Sequence, residues 1–262
     1  MVVPPILDNK HSSAPSVFVP TALMREARRQ KNIKETDVPA VCLLDPDGDL
    51  VRHLRQTKRS KPFVEWPCYH TELDVFSVAG RDIGIVGRAV GASFAVLVAE
   101  ELFASGCRLL ISLTSSGQIV AAGPPPYFII IDRALRDEGT SYHYAEPSEY
   151  ASACPRLLAA AVEAVKQDDP RTIIGATWTT DAPFRETKEA IQAAADKGIL
   201  AVEMEAAALY AFATATNSKV LCLAHVTNTM AQGGADFEKG ENDGTVDALA
   251  VLGAIIGALA EE

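Results

Sequence analysis

The stretch that most constrains the fold runs from Gly198 to Thr216, GILAVEMEAAALYAFATAT. A short apolar run, Ile199–Val202, leads directly into Glu203, Met204 and Glu205, and an Ala-rich helical segment follows without a break. Strand passing straight into helix is the unit of an α/β protein, and that junction lies at the carboxyl edge of the sheet, where ligands bind. Two acids placed there cost desolvation unless polar groups meet them. Two readings are open. An acid in the first helical turn interacts favourably with the positive end of the helix dipole, so one of the pair can serve as a cap. The apolar residues on both sides instead suggest a junction inside the protein, with carboxylates facing a cavity.

The remaining pattern agrees with one large domain. At 262 residues the chain is long enough for a well-buried core. A net charge of −10 argues against non-specific binding to nucleic acid or anionic membrane, although Arg52–Lys61 is locally basic and reads as a solvated helix end. The five cysteines are dispersed without a CxxC pair, which fits a reduced, cytoplasmic chain better than a disulfide framework or a zinc site. No basic-then-apolar leader is read at the N-terminus, and AVLGAIIGALA near the C-terminus reads as a buried helix too short to span a bilayer.

Along the chain, residues 1–39 read as a proline-rich arm and a helix beginning near Thr21, a candidate cap. Residues 40–262 read as one three-layer α/β/α domain with a mixed central sheet. Strands are expected at 40–44, 73–78, 82–86, 108–113, 127–131, 172–177, 199–202 and 220–226. The polar turn TSSG after Leu113 is a second candidate wall of the site, and WTTDAPFRET is expected as a loop from Trp178 to Thr187. GxGxxG, GxxxxGK[ST] and HExxH are not found in a supporting context, so neither a dinucleotide nor a metal is expected.

VEMEAAALY resembles the signature of the nucleoside phosphorylase family, which includes uridine phosphorylases, bacterial-type purine nucleoside phosphorylases and nucleosidases. The order of the other segments is similar over roughly residues 40–260. The resemblance implies that Glu205 accepts hydrogen bonds from ribose hydroxyls, that Met204 packs on the sugar, and that Glu203 lies near the base or helps shape the pocket; a hydrolase would need a general base, for which Glu203 is the first candidate and His70 the second. GTSYHYAEP resembles a sugar-side segment and implies a place for His143. Trp178, Phe184 and Arg185 fall in the base-side loop. Asn228 stands where bacterial purine enzymes carry a catalytic Asp; it donates hydrogen bonds to a departing base but is no general acid. Asp181 is a fallback acid, with turn stabilisation the stronger reading.

The anion half departs from the pattern. The family's GDPxR turn corresponds to LLDPDGD, with Leu44 at the Gly position and Gly48 at the Arg position; His70 and Ser112 replace two further arginines. Ser115 and Ser116 remain as donors, with Arg52, Arg88 and His70 as replacement cations. The resemblance therefore implies nucleoside salvage: cleavage of an N-glycosidic bond, nominally phosphorolytic and uridine phosphorylase-like, with inorganic phosphate as co-substrate and no other cofactor. Hydrolysis by water and non-catalytic nucleoside binding are the alternatives. A homodimer or a hexamer built as a trimer of dimers is expected, without nucleic-acid or membrane partners.

Overall fold

The computed structural model describes residues 4–165, 171–229 and 238–259. Helix α1 (Pro20–Lys31) starts with Pro at its first position, so Val19 rather than Thr21 is the capping residue. Strand β1 (Val41–Asp45) is wholly buried and feeds α2 (Asp49–Gln56). The short β2 (Ser60–Pro62) pairs with β3 (Asp74–Val78), which forms an antiparallel hairpin with β4 (Arg81–Gly87). Helix α3 (Ala92–Phe103) leads to β5 (Leu109–Gln118), and β6 (Tyr127–Asp137) follows. Next come β7 (Tyr150–Ser152), α4 (Pro155–Val165), β8 (Thr172–Thr180) and α5 (Lys188–Asp196). The described chain closes with β9 (Ala201–Glu203), α6 (Ala206–Thr216), β10 (Lys219–Thr229) and α7 (Thr245–Leu259).

The strands form one mixed sheet, ordered β10-β6-β8-β9-β5-β1-β4-β3-β2, with β7 beside β6. Strand β10 also pairs with β5 in parallel, which brings β5, β10, β6, β8 and β9 into a closed ring. Closure removes exposed edges and curls that part of the sheet. Side-chain alternation decides what each face packs against. Leu110, Ile129, Ile131, Val220, Cys222 and Ala224 pack with α3 and α6, whereas Leu109, Ile111, Phe128, Ile130, Leu221 and Leu223 pack with α2, α4 and α7. The three-layer α/β/α arrangement with a mixed sheet follows from these two cores.

Several strands outrun their sequence signal. TSSG is not a turn but the end of β5, and Trp178–Thr180 belong to β8 rather than to a loop. Thr114, Ser116, Gln118, Thr179 and Thr180 are buried there and Ser115 partly so, which a local reading of polar residues does not anticipate. Strands β2 and β7 are only three residues long, too short to show a period. The apolar C-terminal run, with the 3-10 turn before it, reaches the length and composition of a membrane span, contrary to the expectation of too short a segment. Its apolar face is nevertheless spent inside: Leu249, Leu252, Ile255, Ile256 and Leu259 are buried against α4 and the sheet. Of the Gly-rich loop that precedes it, residues 233–237 lie outside the described residues.

Candidate functional site

The strand-to-helix junction divides its two acids between two tasks. Glu203 ends β9 and is buried. Its Oε2 accepts the backbone N–H groups of Glu205 and Ala206, each at 2.7 Å, and its Oε1 accepts the hydroxyls of Thr177 at 3.1 Å and Thr179 at 2.5 Å. Thr179 Oγ1 in turn accepts the N–H of Ala207. The orphan donors at the start of α6 are thereby satisfied without solvent. This corrects the expectation of Glu203 as a general base: four donors hold both of its oxygens, so capping is the work it does.

Glu205 sits at the N-cap position but makes no cap bond. Its side chain turns away from α6, and Oε1 accepts the N–H of Gly91 at 2.7 Å. Oε2 is buried and makes no hydrogen bond of ordinary geometry among the described residues, although the Thr114 hydroxyl lies near enough to favour the charged form slightly. Gly91 precedes α3 with a φ of +89°, a conformation that favours glycine and aims this N–H at the carboxyl. Burial, and then the neighbouring Glu203 charge, push the Glu205 carboxyl from its ordinary range to about 8. Burial raises the Glu203 carboxyl as well, but its four donors favour the charged form, so of the two acids Glu205 is the one that holds the proton at neutral pH. Met204, between them, is half-buried.

The neighbouring loops build a second cluster at the same sheet edge. Asp45 ends β1 and caps α2 by accepting the N–H groups of Gly48 and Val51. Asp47 reaches across to the end of β5, where its carboxylate accepts the N–H of Ser115 at 2.7 Å and the Ser115 hydroxyl at 2.8 Å. Ser116, on the other face, donates to the carbonyl of His225 at 3.2 Å. His225 lies beside Ser115 on β10 and stacks on Phe128 at 4.6 Å between ring centroids. Burial, then the Lys239 charge, lower its imidazole to about 4, so it is neutral at physiological pH. Asp47, Ser115, His225 and Lys239 line a cavity of about 30 Å³.

The replacement cations do not join Ser115. Arg52 forms ion pairs with Asp49 at 2.7 Å and Asp243 at 2.8 Å. Arg88 adopts a φ of +67°, and its side chain lies across Gly48, where an added Cβ would stand 2.9 Å from Arg88 Cγ. Glycine at 48 is thus what gives Arg88 its place. Arg52, Arg88 and His70 line a separate, open cavity of about 610 Å³, together with Lys31, Arg55 and Phe94. The expected anion set is therefore split, with Ser115 lining one cavity and Arg52, Arg88 and His70 the other.

On the base side, Trp178 is buried in β8 and donates Nε1–H to Asp137 at 2.9 Å, a structural anchor rather than an open stacking surface. Phe184 is 99% exposed and Arg185 is exposed as well, so neither meets the junction within a single chain. His143 is exposed, with its Nδ1 3.2 Å from Lys10 Nζ. Asp181 accepts the N–H of Gly139 and fixes a turn. Asn228 follows a bulge in β10, opposite Gly117, with its Oδ1 3.3 Å from the Thr227 hydroxyl. Sequence reading passed over Asp47 and His225. The available signal was period two: with β5 and β10 continued as strands, Ser115 and His225 share one face.

The chain matches the family model described as "Phosphorylase superfamily" over residues 39–257. It is 26% identical to a guanosine phosphorylase of Halorubrum lacusprofundi over 62% of this chain and 68% of that protein. It is 29% identical to a DeoD-type purine nucleoside phosphorylase of Roseobacter denitrificans, over 60% of this chain and 68% of the relative. Among solved structures, a uridine phosphorylase of Vibrio fischeri superposes with a TM-score of 0.74 at 20% identity, covering 89% of this chain and 99% of that one. A purine nucleoside phosphorylase of Toxoplasma gondii gives a TM-score of 0.74 at 14% identity, covering 87% and 94%.

Proposed function

The chain belongs to the phosphorylase superfamily, and on that basis we propose that it cleaves the N-glycosidic bond of a nucleoside. The observation that carries this reading is Glu205: a buried carboxyl with one oxygen held by Gly91 N–H and the other making no hydrogen bond of ordinary geometry among the described residues. A buried polar atom of this kind is costly unless a ligand completes it. A pentose hydroxyl supplies the missing partner. Glu203, by bracing the start of α6, keeps Glu205 in place, and Asn228 offers an amide donor to the departing base as charge develops.

The reading is made on the sugar and the bond rather than on the base. The curated relatives are named for purine nucleosides and guanosine, while the solved structures include uridine and purine enzymes. A uridine-type base remains the nominal substrate on the sequence resemblance, with phosphate the attacking group that the superfamily's name implies. A homodimer or hexamer and a cytoplasmic location belong to the same proposal and rest on that resemblance.

The test is base release from a panel of purine and pyrimidine nucleosides, followed by chromatography. Glu205→Ala is expected to cost ribosides about 100-fold or more in kcat/KM, in line with loss of a buried hydrogen-bonded sugar contact, and to leave 2′,3′-dideoxy analogues far less affected. Equal losses on both substrate classes would overturn the role of Glu205. Release of no base from any nucleoside by the wild-type protein would overturn the activity.

A further inference from the structure

We propose that the open cavity of about 610 Å³ lined by Arg88, Lys31 and Tyr69 is a binding site for an aromatic phosphomonoester of the size of a mononucleotide. It is separate from the strand-to-helix junction: Ser115, Glu203, Glu205 and Asn228 are not among its walls. The inference stands whether or not the chain cleaves nucleosides.

Three observations carry it. First, the cavity holds cations that the fold does not neutralise. The chain has a net charge of −10, yet Lys31, Arg52, Arg55, His70 and Arg88 line this cavity against one carboxylate, Glu72. Arg52 is paired with Asp49 and Asp243, and Arg55 with Asp74 and Glu72. Arg88 and Lys31 form no ion pair among the described residues. Lys31 Nζ gives one hydrogen to the carbonyl of Cys68, at 2.5 Å, and has two more to give. A planar guanidinium fork and an ammonium with free donors suit the oxygens of a phosphate dianion.

Second, the chain accepts strain to put Arg88 there. Arg88 is a non-glycine residue at a φ of +67°, a costly conformation of the kind that clusters at ligand sites. Its stem lies over Gly48, itself at a φ of +77°, where any larger residue would collide with Arg88 Cγ. The Arg88 N–H bonds the carbonyl of Asp45, which fixes the path of the loop. Core packing gains nothing from this arrangement, since Arg88 is exposed.

Third, the cavity has an aromatic wall, and room for more than an inorganic anion. Tyr69 and Phe94 both line it. The Tyr69 hydroxyl donates to Gln30 at 2.9 Å, and Lys31 Nζ stands 5.0 Å from the centre of its ring, so the ring is held in place. Cys68 Sγ accepts the N–H of His70 at 3.3 Å and the hydroxyl of Thr71 at 3.1 Å, which pins the loop that presents Tyr69 and His70. Walls formed in advance lower the ordering cost of binding. Small-molecule sites span roughly 300–1,000 Å³. A whole nucleotide therefore fits, with its phosphate at Arg88 and Lys31 and its ring at Tyr69, whereas inorganic phosphate leaves most of the space unfilled.

The experiment is isothermal titration calorimetry with adenosine and uridine 5′-monophosphates, their nucleosides and inorganic phosphate as probes. Wild type is expected to bind at least one nucleotide saturably, tenfold or more tightly than inorganic phosphate, and excess nucleoside should not displace it. Arg88→Gly suits the positive φ and so keeps the loop; this variant and Lys31→Ala should each weaken nucleotide binding tenfold or more. Tyr69→Leu removes an exposed ring and should weaken the nucleotide while leaving phosphate within twofold. Glu205→Ala should leave nucleotide binding within twofold. Saturable binding of neither nucleotide, equal affinity for nucleotide and phosphate, full affinity in folded Arg88→Gly, or loss of binding in Glu205→Ala or with excess nucleoside would each overturn the proposal. Sedimentation of the same samples tests a second copy of the chain as the rival occupant. Nucleotide binding that disappears as the chain self-associates would assign the cavity to that copy and overturn the proposal as well.

Discussion

Replacing Glu205 by Gln is expected to stabilise the protein, and only above a definable pH. Gln keeps the shape of the neutral acid, so its amide oxygen still accepts the Gly91 N–H while the charge is abolished. In the unfolded chain Glu205 ionises near 4.5; in the fold it retains its proton up to about 8, first because it is buried and then because Glu203 lies beside it. Between those values the native state binds more protons than the unfolded state, so the contribution of Glu205 falls steadily as pH rises and is fully unfavourable above about 8. The gap corresponds to up to about 5 kcal/mol at about 1.4 kcal/mol for each pH unit. Wild type and Glu205→Gln should therefore agree near pH 4.5 and diverge toward pH 8.5, with the variant the more stable. Asp45 and His225 titrate in both proteins and cancel in the difference, whereas Glu203 interacts directly with Glu205, so the difference reports the two carboxyls together. Urea unfolding at fixed protein concentration, repeated from pH 4.5 to 8.5, measures it. A stability difference that does not grow with pH, or a variant that loses stability faster than wild type, would refute the assignment of the proton to Glu205.

Two further outcomes follow from the same geometry. Glu203→Ala strips the acceptor from two threonine hydroxyls and two N–H groups at the start of α6 and should cost about 3–5 kcal/mol in urea unfolding, whereas a loss under about 1 kcal/mol would contradict the capping role. His225 is depressed to about 4 from 6.5, so the unfolded state binds the extra proton between those values and stability is lost as pH falls through that window; His225→Gln should remove about 3 kcal/mol of this acid sensitivity, and an unchanged acid slope would count against a buried, neutral imidazole.

Much of the fold was legible because its signals are local. Strand-to-helix alternation, the apolar run before Glu203 and the Ala-rich run after it specify an α/β layer arrangement with the acids at the carboxyl edge, and β1, β3, β4 and β10 fall close to their apolar runs. Where strands carry polar residues into the ring, as at Ser115–Gln118 and Trp178–Thr180, local pattern reads them as turns, since the partner that buries them is distant in sequence. Ring closure through the β10–β5 pairing is a property of the whole sheet and leaves no mark on either strand alone.

The same division runs through the site. The sequence by itself determined that two acids enter α6 together, that VEMEAAALY resembles the family signature, and that arginines are missing from the anion half. Residue type and spacing suffice for those statements. Only the tertiary structure decided which acid does what. Glu203 meets four donors and Glu205 meets one, a difference created by Thr177, Thr179 and Gly91 from other elements. Likewise, Asp47 is one more turn residue in LLDPDGD until the chain folds, and its pairing with Ser115 spans 68 positions. Hydrogen bonds and desolvation act through space, so the chemistry of an ionisable side chain is settled by the neighbours the fold brings to it.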